Sequence, residues 1–161
     1  MHKGNNFFNS VIVGLALAPQ SVGQATATGA TISEPWRSGR QLSFILLGGV
    51  FGTAVAATCK LEGLLRSDGS TWQTLKQDDG VTDLGFTASK LADTAELEGG
   101  SLLGTIDVSR FDSTTYKAIR LKYVQSTSAV TALVAAAYVI SDLYSHPGSQ
   151  TDDMFSKTIP S

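Results

Sequence analysis

The sequence predicts an all-β (mainly β) fold, a jelly-roll or β-sandwich of about seven to eight strands with one short helix and an extended N-terminal arm. Three observations carry that expectation. Apolar and polar residues alternate in short runs, as where Ile119, Leu121 and Tyr123 interleave with Ala118, Arg120 and Lys122. Clusters such as Ser67-Asp68-Gly69-Ser70 separate those runs. A helical period is confined to one stretch. With 161 residues the chain can close one core without cross-links.

Three parts are expected: an arm over residues 1–23, a sandwich domain over 24–147 and a polar, turn-rich tail over 148–161. Lys3, the apolar run Val11 to Ala18, and Ala16 and Ala18 at cleavage-site spacing imitate a secretory signal peptide. The run falls well short of the ~20 apolar residues that span a bilayer, and Pro19 stands where cleavage would begin. An extended arm with no membrane role is the better expectation. Its backbone needs partners, so it should lie in a groove or add to a sheet edge, on its own domain or on a neighbour's. Phe7, Phe8, Val11, Ile12, Leu15 and Leu17 are its candidate partner-binding anchors.

Along the domain, Ala25 to Ile32 reads as a threonine-rich strand closed by Pro35, Ser38 and Gly39. Arg40 to Leu47 follows, with Leu42, Phe44 and Leu46 on one face. Gly48, Gly49 and Gly52 suit a bulge or bend, since no phosphate-binding pattern accompanies them. From Thr58, Cys59, Leu61 and Leu65 share one face and Lys60, Glu62 and Arg66 the other, with a bulge expected at Gly63. The Ser67–Ser70 turn returns the chain as Trp72 to Lys76, which Asp78-Asp79-Gly80 ends; Trp72 is expected in the core. Thr87 to Leu97 is the helix, capped by Thr87 and ended by Gly99 and Gly100. Ser101 to Val108 and Tyr116 to Val124 are strands. Thr131 to Ile140, balanced between alanine and β-branched residues, is expected to pair with the Tyr116 strand through a Ser126–Ser128 hairpin loop.

The composition excludes several kinds of chemistry. Net charge is −2 with no basic run, which leaves no footprint for nucleic acid phosphates. Cys59 is the only cysteine, so an intrachain disulfide and a cysteine zinc site are both out of reach, and a buried, inert thiol is expected. His2 and His146 have no ligand partner at metal spacing. Asp78, Asp79, Asp152 and Asp153 form two acidic pairs, but Asp78 to Asp83 supplies only a fragment of a calcium loop and is expected to be a solvated turn. No nucleophile elbow occurs. The expectation is a non-enzymatic protein with no cofactor and no metal. Charged residues are only 16% of the chain against about 25% in an average domain, so much of the surface should be covered by partners. Trp36, between Pro35 and Arg37, is a candidate exposed anchor.

Three stretches carry a family likeness: Val11 to Ser33 with Ala18-Pro19 and Ala25-Thr26-Ala27-Thr28-Gly29, Lys60 to Leu75 with its Ser-Asp-Gly-Ser-Thr-Trp turn, and Tyr116 to Pro147. In order and spacing the chain resembles the small structural proteins of tailed bacteriophages that include jelly-roll cement and decoration proteins. The Gly48–Gly52 insert, the Thr87–Leu97 segment and the tail after Pro147 depart from that group. The resemblance implies a virion protein on the capsid surface that binds and bridges major capsid subunits and stabilises the phage head. A homo-oligomer is expected, a dimer ahead of a trimer because two-fold contacts are commonest, with the Thr131–Ile140 strand offering the flat packing surface. The alternatives are a carbohydrate- or receptor-binding sandwich using Trp36, on a virion spike or secreted, and a head-tail connector or tail component.

Overall fold

A computed structural model describes residues 11–23, 25–49, 57–86, 101–125 and 131–144. Ten strands occur in them: β1 (Ile12–Val22), β2 (Thr26–Thr28), β3 (Ile32–Ser33), β4 (Gly39–Gly48), β5 (Ala57–Leu65), β6 (Trp72–Thr74), β7 (Gly85–Phe86), β8 (Ser101–Asp107), β9 (Tyr116–Gln125) and β10 (Ala132–Leu143). They form two antiparallel sheets. Sheet I has the order β1-β10-β4-β8; sheet II has the order β2-β9-β5-β6, with β3 also on β9 and β7 also on β5.

When β2 and β3 are taken as one interrupted strand and β6 and β7 as another, the chain is a long hairpin folded over on itself. First pairs with last (β1 with β10), second with next to last (β2 and β3 with β9), and so inward through β4 with β8 to β5 with β6. This nesting is the jelly-roll winding, and it agrees with the fold class expected from the sequence.

Period-two alternation builds the core. Leu42, Phe44 and Leu46 of β4 point from sheet I toward Cys59, Leu61, Ile119, Leu121 and Tyr123 of sheet II, all buried in one cluster. Burial pushes the Cys59 thiol up to about 12, so it stays protonated and inert. The Tyr123 hydroxyl, also pushed up to about 12 by burial and by the nearby Cys59, donates to Gln125 Oε1 at 3.3 Å. No buried side-chain polar atom among the described residues lacks a hydrogen-bond partner.

Residues 12–22 of the expected arm form β1, an edge strand of sheet I paired with β10 from Ile12↔Ile140 to Val22↔Ala132. Two irregularities interrupt the register, between Leu15 and Leu17 and between Leu17 and Gln20. The first turns both Ala16 and Leu17 inward, where each is fully buried; Pro19, which has no N–H for a ladder, sits in the second.

Several expectations need correction. β9 and β10 are not a hairpin pair: they lie in opposite sheets, and β10 runs between β1 and β4. A short polar loop serves a crossing between sheets as well as a hairpin, and the apolar inner residues of β10, Ala132, Val134, Ala136 and Ile140, complete sheet I's core face. The Ala25–Ile32 strand breaks at Gly29, whose N–H donates to Leu121 O at 2.8 Å while the Ala30 N–H turns to Ala16 O at 2.8 Å. In β5 the bulge falls between Leu64 and Leu65, not at Gly63; Gly63 lies under the Tyr116 ring, where a Cβ would come within 2.6 Å. Trp72 is half-buried on the outer side of sheet II rather than in the core. The expected helix Thr87–Leu97 lies outside the described residues.

The turns share one device. Asp68 accepts from the N–H groups of Ser70 and Thr71 at 2.9 Å, Asp79 from Val81 and Thr82 at 2.8 Å, and Asp112 from Thr114 and Thr115 at 3.0 and 3.1 Å. Gly69 and Gly80 follow two of these aspartates at φ 68° and 69°, the left-handed conformation that glycine tolerates best. Hydrogen bonds from Thr71 and Ser70 hold Asp68, and those from Thr114 and Thr115 hold Asp112, at about 2, below the ordinary 3.8.

Two predictions follow from the core and the turns. Leu17→Ala should cost about 2–5 kcal/mol, read as a lower denaturant midpoint at unchanged slope; a near-neutral result would mean that β1 is not part of the domain. The depressed carboxylates contribute stability that is complete above 3.8 and is lost as pH falls toward about 2. The melting temperature should therefore drop across that window, and Asp68→Asn with Asp112→Asn should flatten the drop.

Candidate functional site: an apolar docking face

The outer surfaces of the two sheets are built on opposite principles. On sheet II, the Glu62 carboxylate is buried on the outer side of β5 and is met by Arg120 at 2.6 Å and Lys122 at 2.8 Å from β9. Burial raises its proton affinity, but the hydrogen bonds and charges of Lys122 and Arg120 outweigh that and hold the carboxyl below its usual range. The Arg120 guanidinium lies 4.0 Å over the Trp72 ring. Beside this group, Asp83 pairs with both Lys60 and Lys76. These charges are answered within the chain.

Sheet I presents no charge across its outer rows. The pairings Leu15↔Ala137, Ala137↔Ile45 and Ile45↔Leu103 set an unbroken apolar row from one edge of the sheet to the other. The row beside it is Val13, Val139, Ser43 and Thr105, and its two hydroxyls bond each other at 2.8 Å. On the other side come Ala135, Leu47 and Ser101, then Leu133. Carboxylate appears only at the far end, where Asp107 pairs with Arg40 at 3.2 Å.

Five of the seven exposed large apolar side chains among the described residues belong to this face: Val13, Leu15, Leu47, Leu103 and Leu133. Leu103 is the most open of the five at 70%, followed by Leu15 at 53%. Spacings of about 4.8 Å between strands and about 3.4 Å per residue give the face roughly 450 Å². That falls within the roughly 300–600 Å² of the largest patch on a typical monomer, which is often functional. A shallow groove of about 450 Å³ runs along its upper margin, lined by Pro19, Leu47, Gly49, Leu133 and Ala135. Two local features open it: β1 leaves the ladder at Pro19, and Gly49 has no Cβ to meet Leu133, which it would approach to 2.8 Å.

A second concavity, an open cleft of about 600 Å³, lies at the seam between β8 and the β6–β7 edge, with Leu75, Leu84, Ile106, Phe111 and Tyr116 at its floor. Asp79, Asp107 and Asp112 on its rim are occupied as turn caps. No group of three His, Cys, Asp or Glu side chains among the described residues could hold a metal ion.

The candidate anchors separate. Leu15 is on the outer face, whereas Leu17 is fully buried and Ile12 packs against the core. Val11, half-buried, immediately precedes β1. Trp36 is half-buried in the Pro35–Arg37 3-10 turn, stacked on Phe111 at 5.2 Å, and Phe111 in turn lies against Tyr116 at 5.5 Å. Phe7, Phe8, His2, His146, Asp152 and Asp153 lie outside the described residues. Val13, Ile45, Leu47, Leu103 and Leu133 are members of the face that the candidate anchors did not include. For Ile45, Leu47 and Leu133 the signal was an unalternating apolar run, Phe44 to Leu47 in β4 and Ala132 to Ile140 in β10.

No family model and no curated protein matches the chain. Among solved structures it is similar to chains of infectious bursal disease virus. With the Gx strain structure it shares 16% identity over 81% of this chain and 32% of that one, at a TM-score of 0.43. With the VP2 subviral particle it shares 16% identity over 82% and 33%, at 0.40, and with the Gt strain structure 14% over 81% and 33%, at 0.39. The chain spans about a third of the length of each.

If the outer face of sheet I is open apolar surface, the free protein should bind an environment-sensitive dye at neutral pH while fully folded. Leu15→Ser with Leu47→Ser should reduce that signal several-fold without moving the far-UV spectrum, and an unchanged signal would place the dye elsewhere.

Proposed function

We propose that this chain is a virion structural protein, a capsid cement or decoration protein that binds and bridges major capsid subunits at the capsid surface, with the outer face of sheet I as its contact. The uncharged row Leu15–Ala137–Ile45–Leu103 is the observation that carries this reading. A protein that only had to stay in solution would gain from charges there, and the outer side of sheet II has them. The low overall charge and the likeness to phage decoration proteins in the Lys60–Leu75 and Tyr116–Pro147 stretches support the same reading.

The size of the face bears on mechanism. Stable two-protein interfaces bury about 800 Å² per partner, so roughly 450 Å² holds one copy weakly. On a lattice, weak contacts repeated by symmetry act together, which is how a cement protein resists internal pressure. The role is non-catalytic and needs no cofactor. A glycan-binding reading is weaker, because the Trp36 ring that would serve as its platform already has one face against Phe111.

Shells stripped of the protein and then re-supplied with it test this. Leu15→Lys and Leu47→Lys should each lower occupancy about tenfold at a fixed concentration, while Lys60→Ala on sheet II should leave it unchanged. Equal occupancy for all three would overturn the reading.

A further inference from the structure

The edges of the two sheets are not equally protected. In sheet II they are formed by strands of two or three residues, β2 and β3 on one side and β6 and β7 on the other. In sheet I, β1 carries Pro19 and two register shifts. Proteins blunt open edges in these ways, with short strands, proline and bulges. β8 has none of them. Its seven residues, Ser101 to Asp107, pair with β4 without a register shift, contain no Pro and no Lys, and pair with no second strand among the described residues, although the Phe86 ring of β7 packs beside Gly104.

From this edge we infer that β8 pairs antiparallel with β8 of a second copy, joining the two sheets I into one continuous eight-stranded sheet across a two-fold axis at Gly104. The register that uses all seven residues sets Ser101 opposite Asp107 of the second copy, Leu102 opposite Ile106, and Leu103 opposite Thr105. Each charge therefore faces a hydroxyl rather than its own copy. Leu102 and Ile106, only partly buried in one chain, close against each other on the inner side. The axis falls where neither copy has a side chain.

On the outer side the two Leu103 side chains become diagonal neighbours about 7–8 Å apart between Cα atoms, within reach of leucine. The row Leu15–Ala137–Ile45–Leu103 of each copy then continues into Thr105, Ser43, Val139 and Val13 of the other, so the joined face crosses the axis without a charge. The pairing stands apart from what the face binds, but one consequence rests on the docking role proposed above: two faces of roughly 450 Å² side by side reach the size of a standard interface.

Sedimentation of the full chain over a range of concentrations should show a dimer, and the pair Leu103→Cys and Thr105→Cys in one chain should form interchain disulfides on mild oxidation, since the buried Cys59 does not compete. Leu103→Lys should weaken the dimer about tenfold or more while the melting curve of the monomer stays in place. A monomer at every concentration overturns the inference. So does a dimer that the 103–105 pair fails to cross-link, or one that Leu15→Lys dissolves and Leu103→Lys does not. Shell binding measured in parallel separates the two proposals: a monomer that still decorates shells removes the dimer and leaves the docking face standing.

Discussion

The structure depends on the placement of β10 between β1 and β4. Both neighbours belong to the first third of the chain, and they are joined into one sheet only through β10. The inner residues of this one strand, Ala132, Val134, Ala136 and Ile140, complete the wall against which Leu121 and Tyr123 pack. Its outer residues, Leu133, Ala135, Ala137 and Val139, form the middle of the apolar face. Core and apolar outer face are thus two sides of the same twelve residues. The small alanines keep the outer side flat, while Val and Ile supply the strand preference.

Charge is distributed accordingly. Glu62 can be buried on sheet II because Arg120 and Lys122 lie beside it on β9 and answer it with three hydrogen bonds. Removing both cations would leave a buried carboxylate without a partner, the expensive arrangement for a buried ion, and removing one would leave it half answered. Sheet I avoids the problem by carrying no ions across its middle, and this is also what leaves it apolar toward the outside. A sheet with one side in the core normally alternates polar on the other side. Ile45, Leu47, Leu133, Ala135, Ala137 and Val139 break that alternation.

Most of the architecture was legible in the sequence. The inward sets Leu42, Phe44, Leu46 and Ile119, Leu121, Tyr123 follow from period two, and Asp68-Gly69 and Asp79-Gly80 mark their turns by chemistry that does not depend on tertiary context. Pairing between distant strands was not legible. The short loop before Thr131 suggested a hairpin because loop length constrains which strands are close but not which sheet receives them. Trp72 was misplaced because a tryptophan's preference for burial can be met by a guanidinium and a neighbouring strand instead of the core. Of the two leucines expected as anchors in β1, Leu15 lies on the outer face of sheet I and Leu17 in the core: period two would keep both on one side, and only the β1 bulge separates them.

The folded-hairpin winding also sets an order of events during synthesis. β10 leaves the ribosome after every other described strand, so until then β1 has no partner in sheet I and that sheet is only the β4–β8 pair. Sheet II, whose β5 and β9 pair over nine positions, can assemble earlier. During that interval Leu42, Phe44 and Leu46 have no completed wall around them, and the nascent chain exposes more apolar surface than the finished protein does. Contacts this distant in sequence close slowly, which favours folding that begins on sheet II and finishes when β10 enters from the C-terminal side. The strand that completes the apolar outer face is therefore also the one that ends the period in which the chain is most prone to aggregate.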